Sequence, residues 1–314
     1  MKIILGSGQL GIAVMEVLLK ANPLEEITLV NRKGTLDIKI PVNVKVVAAD
    51  VTNKIDMESI ARKSDVIFSC TDVPYQSWAK FYPATASALA HALNNTNAKL
   101  VFADNMYSYG NVLGNIMHED LPHKAQTRKG LIRASVINTL LKSGNEFSKR
   151  VAFVKAADFI GPRIYIGLFG TDFLDRIYNK KTVLLSGKIE LPHTFTYIND
   201  FAQAIVNVGS AADTFGQLWH APNATAISID KWIHLFQLYS GEKVEIRLLP
   251  KFVVRMAGMF NSLIREFYEL AYQFEYPYLV DHSKYTNRFG DHSTSPSVIV
   301  KETVQWYKKT KSIK

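Results

Sequence analysis

The feature that most constrains this chain is a glycine-rich turn near its N-terminus, Gly6-Ser7-Gly8-Gln9-Leu10-Gly11. It follows the short apolar run Lys2–Leu5 and opens a helical pattern over Gln9–Lys20. In a G-x-G-x-x-G of this placement each glycine has its own task. Gly6 allows the tight turn, Gly8 lets the backbone approach a phosphate, and Gly11 lets the helix pack closely on the strand before it. The helix start, with Gln9 and Leu10, offers N–H groups and a positive dipole end to an anion. The spacing therefore predicts a strand–turn–helix that cradles the pyrophosphate of a dinucleotide.

The chain continues in the rhythm such a unit requires. Strand patterns over 26–31, 44–48, 65–69, 99–103 and 150–154 alternate with helical patterns over 55–62, 76–94 and 127–142. Strands this apolar, separated by helices, indicate a parallel sheet buried on both faces, and right-handed crossovers make it doubly wound. The predicted fold class is α/β, a Rossmann-type doubly wound parallel sheet with a smaller, interleaved C-terminal substrate lobe. Residues 1–165 form the dinucleotide-binding domain, 195–210 rejoin it, and 166–314 are mostly lobe. Within the lobe, 227–240 and 250–273 read as helices.

The end of the second strand bears on which dinucleotide is bound. An NAD-preferring site places an acidic residue ~20 positions after the glycines, on the ribose 2′-hydroxyl. Here that place reads Asn31-Arg32-Lys33, with no carboxylate and a guanidinium suited to a 2′-phosphate. The expected cofactor is NADP(H) in preference to NAD(H). Asp50-Val51 after the third strand would meet the adenine. Cys70-Thr71 after the fourth strand and Asp104 after the fifth lie at the carboxyl edge, where ligands sit in such sheets.

Bulk properties bound the rest. With 47% hydrophobic and 21% charged residues among 314, this is the composition of a globular protein with a large core. A single cysteine excludes an internal disulfide and suits a reducing, cytoplasmic setting. The net charge of +9 favours anionic partners, part of it in the tail Lys308–Lys314, read as a solvated, frayed end. No aromatic-interleaved basic stripe accompanies it, so no nucleic-acid partner is expected. The apolar stretch around 252–274 contains Arg255, Arg265, Glu266 and Glu269 and is too polar to span a membrane. It reads as an amphipathic helix, and no membrane partner is expected. No two histidines pair at a metal-binding helix spacing, so His118 and His123 read as surface or packing residues and no metal is expected.

Several segments together resemble the extended short-chain dehydrogenase/reductases, in particular the NAD-dependent epimerase/dehydratase group. They are Tyr109-Gly110 with His118–Pro122, Ala157–Pro162, Phe195–Ala202, and the ending Asp281–Lys284 with Glu302–Tyr307. That family places a Ser or Thr and a Tyr-x-x-x-Lys pair around the nicotinamide. The matching places here read Asn105 for the Ser and Lys129-Gly130-Leu131-Ile132-Arg133 for the pair. The tyrosine is missing. Arg133 can keep the ribose contact, but a guanidinium does not give up its proton in a protein. Lys129 can serve as the acid if burial beside Arg133 weakens its hold on the proton. Tyr107, two residues beyond Asn105, is a displaced alternative, with Asn105 holding the carbonyl oxygen. Equally, Tyr107 can be packing and Lys129 and Arg133 anion-binding groups.

The resemblance implies an oxidoreductase or epimerase-like enzyme acting on a small carbonyl, hydroxyl or nucleotide-sugar-like substrate, and a homodimer. Arg163 and His193 are minor candidates for touching that substrate. The alternative is a catalytically inactive NADP(H)-binding sensor, which the missing tyrosine favours.

Overall fold

The computed structural model describes residues 1–312, and the chain divides into two compact units. The first comprises 1–110, 122–156 and 201–221; the second comprises 111–121, 157–200 and 222 onward. The first unit thus closes at Ala156 rather than at residue 165, and its returning segment is 201–221 rather than 195–210.

The first unit is built on seven parallel strands: β1 (Lys2–Leu5), β2 (Ile27–Asn31), β3 (Val44–Ala48), β4 (Val66–Ser69), β5 (Lys99–Asn105), β6 (Val151–Ala156) and β7 (Gln217–His220). Their order across the sheet is β7-β6-β5-β4-β1-β2-β3. Helices α1 (Gln9–Ala21), α2 (Lys54–Ala61), α3 (Trp78–Asn94) and α4 (Arg128–Leu140) make the crossovers. Every residue of β4 and β6 is buried, as a sheet covered on both faces demands. The edge strand β3 buries only Val44. Each fully buried Ile, Val or Phe of this core stabilises by about 1.5–3 kcal/mol. Chain order reverses between β1 and β4, since β1 leads through α1 to β2 on one side while β4 flanks it on the other. That reversal opens a crevice at the carboxyl ends of β1 and β4.

In the second unit, Phe195–Tyr197 pairs in parallel with Asp158–Ile160. The single helix expected over 250–273 is broken into Lys251–Phe260, Ser262–Tyr268 and a 3-10 turn at Ala271–Phe274. The break is Asn261, whose side chain caps the second helix by accepting from Leu263 and Ile264 N–H. The tail also departs from expectation. Helix Pro296–Ser312 runs through Lys308–Lys311, with Lys311 2.7 Å from Asp175 and Lys308 donating to the Ser240 carbonyl. Ile313 and Lys314 lie outside the described residues.

Candidate functional site

The glycine turn at the end of β1 explains itself atom by atom. Gly6 has φ +95°, and a Cβ there would lie 2.8 Å from the Cys70 carbonyl oxygen. A Cβ on Gly11 would lie 1.9 Å from the Gly6 carbonyl oxygen. Both positions are glycine because the protein's own backbone occupies the space. Gly8 differs: a Cβ there meets nothing within 4 Å. It caps α1 with an extended backbone, and the first turn of α1 carries no acid to oppose an incoming anion. The second glycine therefore faces open space at a helix N-terminus, a fit for a pyrophosphate.

The neighbouring edge residues are organised around this turn. Asn31 donates to Ser7 Oγ (2.8 Å) and the Thr35 carbonyl (2.9 Å), while its Oδ1 accepts from the N–H groups of Lys33 and Gly34. It ties the glycine turn to the loop after β2 and so positions the exposed Arg32. Asp50 accepts from the N–H and hydroxyl of Thr52, and these bonds, with Arg32 adding its field, hold its carboxyl below the usual range. Val51 is buried. Cys70 is buried and its thiol pKa is pushed up by desolvation, which makes it an inert wall. Thr71 presses against Gly6, and its buried hydroxyl has no hydrogen-bond partner.

Asp104 belongs elsewhere than expected. It lies within β5, its side chain 1% exposed, between Lys155 Nζ of β6 (2.5 Å) and Arg133 Nε of α4 (3.4 Å). It is the internal counter-ion of two buried cations, rather than a group offered at the sheet edge. Lys155 also donates to Ser108 Oγ (3.0 Å), which is 2.9 Å from His123 Nδ1. Tyr109, stacked on His123, meets His220 Nε2 at 2.8 Å. Burial lowers the Lys155 pKa in spite of Asp104. Burial, then the field of Lys155, brings His123 down to about 4, so it is neutral at pH 7.

Arg133 holds the centre of this cluster. Its guanidinium lies 3.9 Å from the Tyr82 ring centroid and 4.6 Å from that of Trp78. One nitrogen donates to Tyr82 OH (3.1 Å), which donates in turn to Asp72 (2.9 Å). Burial opposes the Arg133 charge, but Tyr82, Asp104 and Asp72 outweigh it and raise the pKa. The remaining nitrogens, Nε and Nη1, are buried without a hydrogen-bond partner.

The other expected catalytic residues gather beside it. Gly130 brings them together, since a Cβ there would sit 2.4 Å from the Tyr107 carbonyl oxygen. Close packing of α4 on the 3-10 turn Tyr107–Tyr109 sets Lys129 and Tyr107 around one ring. Lys129 Nζ lies 4.9 Å from the centroid of Tyr75, and Tyr75 OH is 3.2 Å from Tyr107 OH. Lys129 is fully buried. Asn105 Oδ1 accepts from Tyr107 N–H at 3.0 Å, so its carboxamide braces the turn.

Sequence reasoning missed Lys155, Tyr82 and Tyr75, while Asp72 follows Cys70-Thr71 at the carboxyl edge that the sequence marks. A signal existed for Lys155 alone, as the one charge inside the otherwise apolar run Val151–Ala156. In the second unit, His193 is buried between the rings of Phe274 and Tyr278, 2.9 Å from Asp158. Arg163 takes a left-handed φ of +67° in the turn after Gly161-Pro162.

Comparison with known proteins adds three findings. The model of a family described as the NAD dependent epimerase/dehydratase family matches residues 3–217. A search of curated proteins gave no match. Among solved structures, dTDP-glucose 4,6-dehydratase of Streptomyces venezuelae, bound to NAD, is similar with a TM-score of 0.81 at 14% identity, covering 100% of this chain and 98% of the other. UDP-glucuronic acid 4-epimerase of Bacillus cereus with NAD gives 0.78 at 15%, covering 99% of both. UDP-glucose 4-epimerase of Thermus thermophilus with NAD gives 0.76 at 16%, covering 98% and 99%. At such identities the likeness establishes a shared fold.

Proposed function

We propose that this chain, which belongs to the NAD-dependent epimerase/dehydratase family, holds a nicotinamide dinucleotide across the β1–β4 crevice and applies it to a nucleotide-sugar-like hydroxyl or carbonyl substrate. The observation that carries the reading is the glycine turn, where Gly8 opens onto space at the reversal point of the sheet. The NAD bound in the similar structures supports the cofactor class, and the nucleotide sugars those enzymes are named for support the substrate class.

When bound, the nicotinamide supplies a donor or acceptor of hydride. The chain's own residues do the rest. The turn and the first N–H groups of α1 hold the pyrophosphate. Arg32 pairs with a 2′-phosphate, the basis for NADP(H) over NAD(H). Arg133, whose Nε faces Asp104, offers Nη1, which makes no hydrogen bond, to ribose hydroxyls. Tyr107 holds the transferable proton on its phenol, and Lys129, across the Tyr75 ring, favours the phenolate. Asn105, whose oxygen is engaged by Tyr107 N–H, turns its amide N–H toward the substrate oxygen.

The test combines binding and turnover. NADP⁺ should bind more tightly than NAD⁺, and Arg32→Ala should weaken NADP⁺ on the order of tenfold while sparing NAD⁺. Tighter binding of NAD⁺ by the unaltered chain would remove the 2′-phosphate assignment. With NADPH and a panel of nucleotide sugars, ketones and aldehydes, Tyr107→Phe and Lys129→Ala should each abolish turnover. A second reading, an inactive dinucleotide sensor, is favoured by one observation: the place of the family's tyrosine holds the fully buried Lys129. Tight binding without turnover on any substrate would select it.

A further inference from the structure

The second unit carries two consecutive helices that bury almost nothing of themselves. Across Lys251–Phe260 and Ser262–Tyr268, only Gly258 and Glu266 are buried. Phe252, Met256 and Phe260 form an i, i+4, i+8 row on the first helix, and Phe260 is 88% exposed. Leu263 and Phe267, also exposed, form an i, i+4 row on the second. The helices pack closely, since a Cβ on Gly258 would lie 3.2 Å from Arg265 Cα. Short helices draw most of their stability from burying an apolar face, so a face left in water marks a surface made for a partner.

Charge decides which partner. The ionisable side chains of 251–268, tyrosine aside, are Lys251, Arg255, Arg265 and Glu266. The three cations are exposed, Lys251 in an ion pair with Glu275, and Arg255 and Arg265 in none among the described residues; the acid is buried. A second copy docking through the same face would set these cations against their own images. An anionic surface meets them instead. Protruding Phe and Met side chains need no preformed pockets in a bilayer interface, where Lys and Arg stems also extend to the head groups. Among the described residues no helix is long and apolar enough to cross a membrane, so the contact lies in the interface plane.

We infer that the helix pair Lys251–Tyr268 docks on an anionic lipid bilayer, with Phe252, Met256 and Phe260 entering the head-group region and Lys251, Arg255 and Arg265 against the lipid charges. It runs against the expectation of no membrane partner, and it stands independently of the dinucleotide reading. The test is co-sedimentation of the full chain with phosphatidylcholine vesicles, with and without about 30% phosphatidylserine. Binding should require phosphatidylserine and fade as salt rises from roughly 0.1 to 0.5 M. Arg255→Gln should weaken it about fivefold. Phe252→Asp with Phe260→Asp should weaken it more than tenfold, with an unchanged melting temperature because both side chains are already in water. The proposal is overturned by equal binding to both vesicles, by no binding, or by binding that survives these variants. It is equally overturned if the chain binds a soluble acidic polypeptide but not vesicles, or if Phe260→Asp splits a dimer that shows no vesicle binding.

Discussion

The turn after β1 and the charged cluster between β5, β6 and α4 solve opposite problems in the same unit. At the turn, geometry is set by what is missing: Gly6 and Gly11 have no side chain because backbone oxygens stand in the way. In the cluster, geometry is set by what must be neutralised: Asp104 lies between Lys155 and Arg133, and all three are buried. Yet each region keeps one element that its internal contacts do not explain. At the turn it is the open space at Gly8; in the cluster it is Nη1 of Arg133, which makes no hydrogen bond. The difference teaches how each region is built: the turn by excluding side chains from its backbone, the cluster by balancing buried charge.

The contrast can be broken experimentally, and the cluster should break hardest. Lys155→Met leaves Asp104 buried with one cation that makes no well-formed hydrogen bond to it, a change that costs about 3–5 kcal/mol when a buried pair loses a partner. Denaturant unfolding checks this, and a loss under ~1 kcal/mol would make the cluster a looser, wetter site than described. Gly11→Ala comes next. Its Cβ forces the Gly6 carbonyl away, and overpacking of this kind costs roughly 1–3 kcal/mol. Calorimetry should show a lower Tm before any ligand is added. The smallest effect sharpens the electrostatic side. Because the folded pKa of His123 lies near 4, below its value of 6.5 in the unfolded chain, the unfolded state takes up the proton first. Its contribution is intact above pH 6.5 and is lost as the pH falls toward 4. His123→Gln should flatten that part of the Tm–pH curve, and an unaltered curve would remove His123 from the network.

How much of this was legible follows from the same contrast. The backbone geometry of the turn is legible because its constraint is local, within six residues. Six of the seven sheet strands are legible from apolar periodicity, with ends that differ by only a residue or two, whereas the seventh, Gln217–His220, is not read from the sequence. Asp104 was misjudged because one added residue of β5 carries it into the sheet, where its partners come from β6 and α4. Nothing in the spacing of Asp104, Arg133 and Lys155 announces that they meet; the pairing register of β5 and β6 does. Tyr107 and Lys129 are candidates on sequence grounds, but the ring between them, Tyr75, lies in the α3 entry segment and carries no pattern of its own. Asn261 shows the local version of the error, a capping residue hidden within a run that reads as one helix.

The central claim is that the space at Gly8 exists for a dinucleotide. Gly8→Val tests it most directly, because a Cβ there meets nothing within 4 Å and the backbone is extended, with φ −79°. NADP⁺ and NAD⁺ titrations of this variant should show binding reduced by more than a hundredfold while Tm stays within about 2 °C of the parent. Dinucleotide affinity unchanged in Gly8→Val would contradict the account.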